Sequence, residues 1–248
     1  MKQTAWIIGA STGLGRQTAE MLAMKGVHVI LSARNQRDLE GLCSHIRISY
    51  QVEAHPFTLD LAEITDTSKS TQIIDELLAM TDFPDMCFVL AGSINEKDEH
   101  LNAINTLQVL LQNNFTGPVY LINELVRRKA AKPLRIAVAS SVAAARARGK
   151  NISYSTAKKA LEQYCFGLMH SQAHTNTSIQ LYRFGYMDTN LSYGQKLPFP
   201  AASVESIASK IISYAGKGPG LYYLPRFWFW ITFVLNLVPF GIYKKLKF

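Results

Sequence analysis

The sequence has few cysteines and no pattern that would support a disulfide framework. Its 248 residues include three cysteines, an odd count without a CxxC pair. Cys43, Cys87 and Cys165 lie in apolar or helical surroundings, which is typical of reduced thiols inside cells. The sequence therefore favours an intracellular protein without disulfides, and no metal site is predicted.

Repeats, low-complexity tracts and long linkers are also missing between residue 1 and about residue 197. Residues 4–9 have the pattern of a buried strand and not of a signal peptide, so we expect the folded domain to stay in the cytosol. The composition, 48% apolar and 18% charged, fits one α/β domain that buries a sheet on both faces. A second catalytic domain has no room.

Short, β-rich apolar segments alternate with segments of helical length and period. The predicted strands are residues 4–8, 27–31, 52–57, 86–90, 134–139 and 178–182. The predicted helices are residues 13–25, 36–46, 67–80, 100–112, 116–130 and 152–174. This order predicts a doubly wound α/β fold with a parallel sheet between two layers of helices, formed by residues 1–220 and followed by a tail at 221–248.

A glycine-rich turn of the pattern G-x-x-x-G-x-G follows the first predicted strand and leads directly into a helix. Glycines permit a tight turn and close approach to a pyrophosphate, and the helix N-terminus offers free N–H groups to that anion. A glycine turn in some other kind of α/β protein is the alternative. The residues predicted to bind the cofactor here are Gly9, Ser11, Thr12, Gly13, Leu14 and Gly15.

The end of the second strand lacks the Asp or Glu that holds the ribose 2′-hydroxyl of NAD. Arg34 follows it instead, and its guanidinium would pair with the 2′-phosphate of NADP, with Ser11 as a further donor. The predicted cofactor is therefore NADP(H) before NAD(H), the alternative being a solvated arginine. Four residues after the third and fourth strands are predicted to flank the adenine and its ribose: Asp60, Leu61, Ala91 and Gly92.

Tyr154 and Lys158 are four residues apart, so both lie on one face of the helix predicted after the fifth strand. Ser141 ends that strand. Together with the glycine turn and Asn114, these residues resemble the signature of the short-chain dehydrogenase/reductase family over residues 4 to about 215. The resemblance implies a Rossmann fold and hydride transfer between a nicotinamide and a ketone or secondary alcohol.

The resemblance also implies a role for each of these side chains. Tyr154 would exchange a proton with the substrate oxygen, its pKa brought down by Lys158 and by the positive nicotinamide ring. Lys158 would also hold the nicotinamide ribose, and Ser141 would orient the carbonyl. Asn114 would hold a water for proton return, unless it serves only as a helix-kink or capping residue.

Two departures from the family pattern concern the cofactor pocket. Leu90 stands where the family has Asn, and Phe184 stands where it has Pro. Gly185 and Thr189 keep the positions that contact the nicotinamide in the family. These changes affect cofactor affinity and ring placement and leave the proton relay intact.

The C-terminal segment carries much of the net charge of +8 around an apolar centre. Residues 227–243 contain no charged side chain and lie between Arg226 and the cations Lys244, Lys245 and Lys247. Seventeen residues are fewer than the roughly twenty of a membrane span. We therefore expect a tail that lies in the interface on the inner face of a membrane, or that packs on the protein itself or in a dimer interface.

Residues 187–202 mix Gly, Pro and aromatic side chains and are predicted to form a substrate loop or lid. The tail residues from Tyr222 to Pro225, with Trp228, more loosely resemble the decaprenylphosphoryl-2-keto-ribose reductases. That resemblance implies a polyprenyl-phosphate keto-sugar as substrate, for which the loop offers Asn190, Ser192, Tyr193 and Gln195.

Two other interpretations stay open. One is a reductase of a long-chain keto-lipid, and the other is a nucleotide-sensing or scaffold protein without turnover. The family resemblance implies a homodimer or homotetramer formed through residues 100–130 and 152–174. The charge pattern indicates a membrane surface as partner, and no nucleic acid.

Overall fold

The computed structural model describes residues 3–94, 104–147, 149–188 and 199–246, with the side chains of residues 104–106 left aside. Seven parallel strands form one sheet in the order β3-β2-β1-β4-β5-β6-β7. These strands are β1 (Thr4–Ile8), β2 (His28–Ala33), β3 (Ala54–Thr58), β4 (Met86–Val89), β5 (Leu134–Ser141), β6 (Thr177–Phe184) and β7 (Gly220–Leu224).

Helices connect the strands and cover both faces of the sheet. They are α1 (Gly13–Met24), α2 (Gln36–Tyr50), α3 (Thr67–Met80), α4 (Ile104–Leu111), α5 (Gly117–Arg128), α6 (Ile152–Ser171), α7 (Val204–Tyr214), α8 (Trp228–Leu237) and α9 (Phe240–Tyr243). A π-helical turn, Gln112–Thr116, separates α4 from α5.

The core has two halves because successive side chains of a strand point to opposite faces of the sheet. In β1, Ala5 and Ile7 pack with α1, α2 and α7, whereas Trp6 and Ile8 pack with α3, α5 and α6. Both faces are apolar, which is why the central strands have continuous hydrophobic sequences. The predicted doubly wound fold with a parallel sheet is confirmed.

The sheet extends further along the chain than the sequence predicted. The expected boundary between residues 220 and 221 falls inside β7, which pairs in parallel with β6. Of the five residues of β7 only Leu224 is fully buried, since this strand lies at the edge of the sheet. The tail therefore begins after Leu224, and Tyr222 and Tyr223 belong to the sheet.

The tail folds back against the carboxyl ends of the strands. Trp228 is 5% exposed and covers Gly185, where an added Cβ would lie 1.8 Å from the indole Nε1. The Tyr243 hydroxyl donates to the carbonyl of Ala147 over 2.8 Å, and Arg146 donates to the carbonyl of Leu235. One side of the tail thus packs on the protein itself, which was one of the arrangements expected for this segment.

Candidate active site

The glycine turn after β1 has the close contacts that require glycine. Gly9 has φ = +91°, and a Cβ there would lie 2.8 Å from the backbone of Ala91. A Cβ on Gly15 would lie 2.0 Å from the carbonyl oxygen of Gly9. Gly13 begins α1 with φ = +52°. The turn therefore brings bare backbone to the carboxyl edge of the sheet, where a phosphate group can approach it.

The N-terminus of α1 is open to an anion. Thr12 is the N-cap residue, but its side chain makes no capping hydrogen bond, and the first turn contains no acidic residue. Ser11 is half-buried and Thr12 is exposed, whereas the side chain of Leu14 belongs to the core. A contact of Leu14 with a cofactor would therefore use its backbone.

The residues after β2 and β3 differ in burial and in whether their side chains make hydrogen bonds within the protein. Arg34 is exposed, and no hydrogen bond or ion pair within the described part of the chain uses its guanidinium. Asp60 caps a short 3-10 turn, Leu61–Glu63, because its Oδ1 accepts from the N–H of Ala62 over 2.9 Å. Leu61 is buried, and its carbonyl lies 2.2 Å from where a Cβ on Gly117 would stand. Asp60 thus caps the turn that follows β3.

Asn114 and Lys158 meet at the end of β4. A Cβ on Gly92 would lie 3.0 Å from Asn114 Oδ1 and 3.2 Å from Lys158 Nζ. Asn114 is fully buried within the π-helical turn and exchanges hydrogen bonds with the backbone of Ser93. Its Nδ2 also donates to the carbonyl of Leu110 over 3.0 Å. The side chain of Asn114 therefore fixes the turn that borders Lys158.

Ser141, Tyr154 and Lys158 lie together where β5 ends and α6 begins. Tyr154 and Ser141 are joined by a side-chain hydrogen bond. Lys158 is 3% exposed, and its Nζ donates to the carbonyl of Ala139 over 3.0 Å. Ser141 Oγ accepts from the N–H of Ala143 over 3.2 Å, which holds the start of the following loop. The structure thus brings together the three residues that the sequence placed at the catalytic centre.

Burial dominates the ionisation of this cluster. It lowers the pKa of Lys158 to about 8, although the Glu162 carboxylate and Cys165 act in the opposite direction. Burial also raises the pKa of Tyr154, and the hydrogen bond with Ser141 offsets this only in part. The lowering of the Tyr154 pKa that was expected from Lys158 is therefore not produced by the protein groups alone.

Sequence reasoning missed a buried ion pair beside the cluster. Glu162 is fully buried and lies one turn after Lys158 on α6, and both carboxylate oxygens accept from Arg183 of β6, over 2.6 and 2.5 Å. Ser140 Oγ donates to the same carboxylate over 2.7 Å, and Arg183 donates to the hydroxyl of Tyr223 on β7. An arginine within a strand of the buried sheet is the sequence signal that was overlooked, since a buried arginine needs a partner.

The strand-end loop after β6 is anchored at both ends. Asp188 donates its N–H to the carbonyl of Ala202 over 3.0 Å, and the N–H of Ala202 donates to the carbonyl of Tyr186 over 2.9 Å. Gly185 donates its N–H to the carbonyl of Leu224 and lies beneath Trp228. Thr189 and the polar loop residues Asn190, Ser192, Tyr193 and Gln195 lie outside the described residues.

We predict that Arg183→Met destabilises the protein by about 3–5 kcal/mol, because it leaves the Glu162 carboxylate buried without its partner. Lys159→Met is the matched control, since Lys159 is 56% exposed and lies 3.9 Å from the same carboxylate. Its loss should cost less than about 1 kcal/mol. Urea unfolding measures the free energy of unfolding of both variants. Equal decreases in the two variants would show that the Glu162–Arg183 ion pair contributes no more to stability than the exposed Lys159.

A family profile described as short chain dehydrogenase matches residues 3–196. The dehydrogenase/reductase SDR family protein 7-like of Anopheles gambiae is 29% identical over 96% of this chain and 81% of that protein. Many solved structures share the fold, and two of them hold different cofactors. An NADPH complex of a short-chain dehydrogenase from Sphingobium yanoikuyae has a TM-score of 0.80 and 18% identity, and covers 99% of this chain and 96% of that one.

The second structure is an NAD complex of a 3-oxoacyl-[acyl-carrier protein] reductase from Brucella melitensis. Its TM-score is 0.79 at 18% identity, over 90% of this chain and 95% of that one. The family profile spans more than three quarters of the chain and includes the glycine turn and the Ser141–Tyr154–Lys158 cluster. The chain therefore belongs to the short-chain dehydrogenase family, whose oxidoreductases act on CH–OH and C=O groups.

Proposed function

We propose that the protein is an NADPH-dependent reductase of a lipid-linked ketone, such as a polyprenyl-phosphate keto-sugar, and that it works at a membrane surface. The observation that carries the proposal is the position of the tail. It packs over the carboxyl ends of the strands, beside the cluster of Ser141, Tyr154 and Lys158, and its opposite side is apolar and exposed. A lipid-anchored substrate would thus meet the catalytic cluster without leaving the interface.

The residues of the cluster suit proton transfer to a carbonyl oxygen. In this proposal the Tyr154 hydroxyl gives its proton to that oxygen, which the Ser141 hydroxyl holds in place. The Lys158 ammonium stabilises the phenolate left on Tyr154, and a water beside Asn114 returns the proton. The reduced nicotinamide would supply the hydride. The phosphates of the dinucleotide would fit the bare backbone at Gly9 and Gly15 and the uncapped start of α1.

The choice of NADP(H) over NAD(H) rests on the residue after β2. Arg34 follows this strand directly, is exposed, and has no carboxylate partner within the described ranges. A guanidinium at this position matches a phosphate on the ribose, and a carboxylate would match a hydroxyl. Solved structures with this fold include both an NADPH and an NAD complex, so the fold alone does not choose between the cofactors and the proposal depends on Arg34.

The membrane part of the proposal rests on the outer side of α8 and α9. The side chains that define this outer face are 45–72% exposed: Phe229, Trp230, Phe233, Val234, Leu237, Phe240 and Ile242. Exposed cations flank them at Arg226, Lys244 and Lys245. Apolar and aromatic side chains between cations are typical of helices that lie in the interface of an anionic membrane.

The length of the tail helices agrees with this orientation. The ten residues of α8 extend over about 15 Å, half of the roughly 30 Å of a hydrocarbon core. Within the part of the chain that the structure describes, no helix has the length and hydropathy needed to cross a bilayer. An interfacial helix that also packs on the domain would keep the catalytic cluster close to the lipid headgroups.

Replacing Tyr154 should abolish ketone reduction. We predict that Tyr154→Phe lowers kcat by at least about 100-fold, because the proton donor is lost. Tyr164→Phe on the same helix is the control, since the Tyr164 hydroxyl donates to the side chain of Asn123 on α5 over 3.3 Å. Oxidation of NADPH is followed with a polyprenyl-phosphate keto-sugar and with a long-chain keto-lipid, and the better substrate chooses between the two lipid classes.

The same assay should show a defined pH profile. Because Lys158 has a pKa of about 8, its ammonium is present below that pH and is lost above it. We therefore expect the rate of reduction to fall as the pH rises through about 8. A protein that binds NADPH but reduces neither ketone at any pH would favour a nucleotide-sensing or scaffold role.

Arg34→Asp should reverse the cofactor preference. Removing the guanidinium and adding a carboxylate should lower kcat/KM for NADPH by about tenfold or more and raise it for NADH. Lys25→Gln, an exposed cation at the far end of α1, is the control. The proposal for Arg34 fails if both cofactors respond equally to the charge reversal.

Membrane binding should depend on the outer face of the tail. We predict that Leu237→Ser with Phe240→Ser lowers binding to vesicles that contain phosphatidylglycerol by at least about tenfold, since burying each side chain contributes about 1.5–3 kcal/mol. Ile48→Ser, which changes a side chain that is 75% exposed on α2, should leave cosedimentation with vesicles unchanged. Equal binding of all three proteins would place the membrane contact elsewhere.

A further inference from the structure

A small cavity lies between the loop that follows Ser141 and the tail. Its volume is about 40 Å³, about three times the 10–15 Å³ that one buried water needs. Val142 and Ala143 line it from the loop, Tyr186 from the end of β6, and Trp228 and Thr232 from α8. The cavity therefore adjoins the catalytic cluster, and the tail supplies one of its walls.

Two of the polar side chains in this lining, Arg146 and Trp228, can only donate hydrogen bonds. Trp228 is buried, and its Nε1, which packs over Gly185 beside the cavity, has no hydrogen-bond partner within the described residues. A buried N–H without an acceptor is costly, so its presence favours an acceptor that arrives from outside the chain. No Asp or Glu is found among the described residues that line the cavity.

Arg146 adds positive charge to the same wall. Its guanidinium is half-buried, lies 3.8 Å above the ring of Tyr243, and donates to the carbonyl of Leu235. Within the described ranges no carboxylate pairs with it. A guanidinium has five N–H donors and binds phosphate oxygens in a planar, bidentate manner. A cavity with a cation, an unpaired donor and no acid is complementary to an anion.

We propose that this cavity binds a phosphate group of the substrate, with Arg146 and Trp228 as donors that determine specificity. The assignment deepens the proposed function, on which it rests for the position of the reacting ketone. In a phosphoryl-2-keto-sugar the phosphate is attached to the carbon next to the carbonyl. A phosphate in the cavity would therefore leave the carbonyl close to Ser141, and the tail would form part of the substrate site.

Two water-soluble ketones test this assignment without a lipid. Dihydroxyacetone phosphate has its phosphate on the carbon next to the carbonyl, and dihydroxyacetone differs only by lacking it. We expect the protein to prefer the phosphate ester over dihydroxyacetone in kcat/KM by at least about tenfold, and we expect Arg146→Gln to remove this preference. Trp228→Phe should lose a smaller part of the preference, about fivefold.

Controls separate recognition from a structural role. Arg135→Gln, at the opposite end of β5 from Ser141, should leave the preference unchanged. Arg146→Lys should restore part of it, because an ammonium still binds phosphate as a point charge. A loss of activity on both ketones in Arg146→Gln, without rescue by lysine, would show that Arg146 only holds the tail and would overturn the assignment.

Calorimetry tests the phosphate site independently of whether the protein reduces ketones. Binding of dihydroxyacetone phosphate to the NADP-loaded protein is measured by titration for each variant. Weaker binding in Arg146→Gln would support the phosphate site even if neither ketone were reduced. The absence of reduction would then count only against the proposed function. Binding that is equal for both ketones, or unaffected by Arg146→Gln, would overturn the phosphate site.

Discussion

The position of α6 on the sheet depends on the buried ion pair between Glu162 and Arg183. This helix carries Tyr154 and Lys158, and Glu162 lies on it one turn further on. The carboxylate accepts from β5 through Ser140 and from β6 through Arg183, which in turn contacts Tyr223 of β7. A buried charge of either sign must be paired, so these partners fix the helix in one position. The distance between Ser141 and the tyrosine–lysine face follows from that position.

The same enclosure that pairs Glu162 also removes water from Lys158. The resulting loss of hydration outweighs the nearby carboxylate and lowers the pKa of the ammonium toward the physiological range. The tail contributes to the enclosure on the other side of Ser141. It begins directly after β7, covers Gly185 with Trp228 and holds the loop after Ser141 through Arg146 and Tyr243. The tail is thus joined to the domain by specific contacts on one side and remains apolar on the other.

Most of the fold followed from local sequence patterns. The first six strands lie at the apolar, β-rich segments that predicted them, and helices connect them in the expected order. The seventh strand was not predicted, because an edge strand with one fully buried residue lacks the continuous apolar pattern of the centre. Its tyrosines were therefore assigned to the aromatic tail.

The candidate site was predictable where its residues are close in sequence or match a family pattern. The glycine turn, Tyr154 and Lys158 meet the first condition, and Ser141 and Asn114 meet the second. Glu162 and Arg183 are brought together by packing between a helix and a strand, which no local period indicates. Arg146 and Trp228 share a cavity only because the tail folds back over the strand ends.

The central claim is that this site delivers hydride from NADPH to a ketone. The most direct measurement uses NADPH that carries deuterium at both positions of nicotinamide C4, followed by mass spectrometry of the product alcohol. Our account predicts one deuterium on the carbinol carbon of the product from a phosphate-bearing ketone. An alcohol without deuterium, or cofactor binding with no labelled product from any ketone, would contradict it.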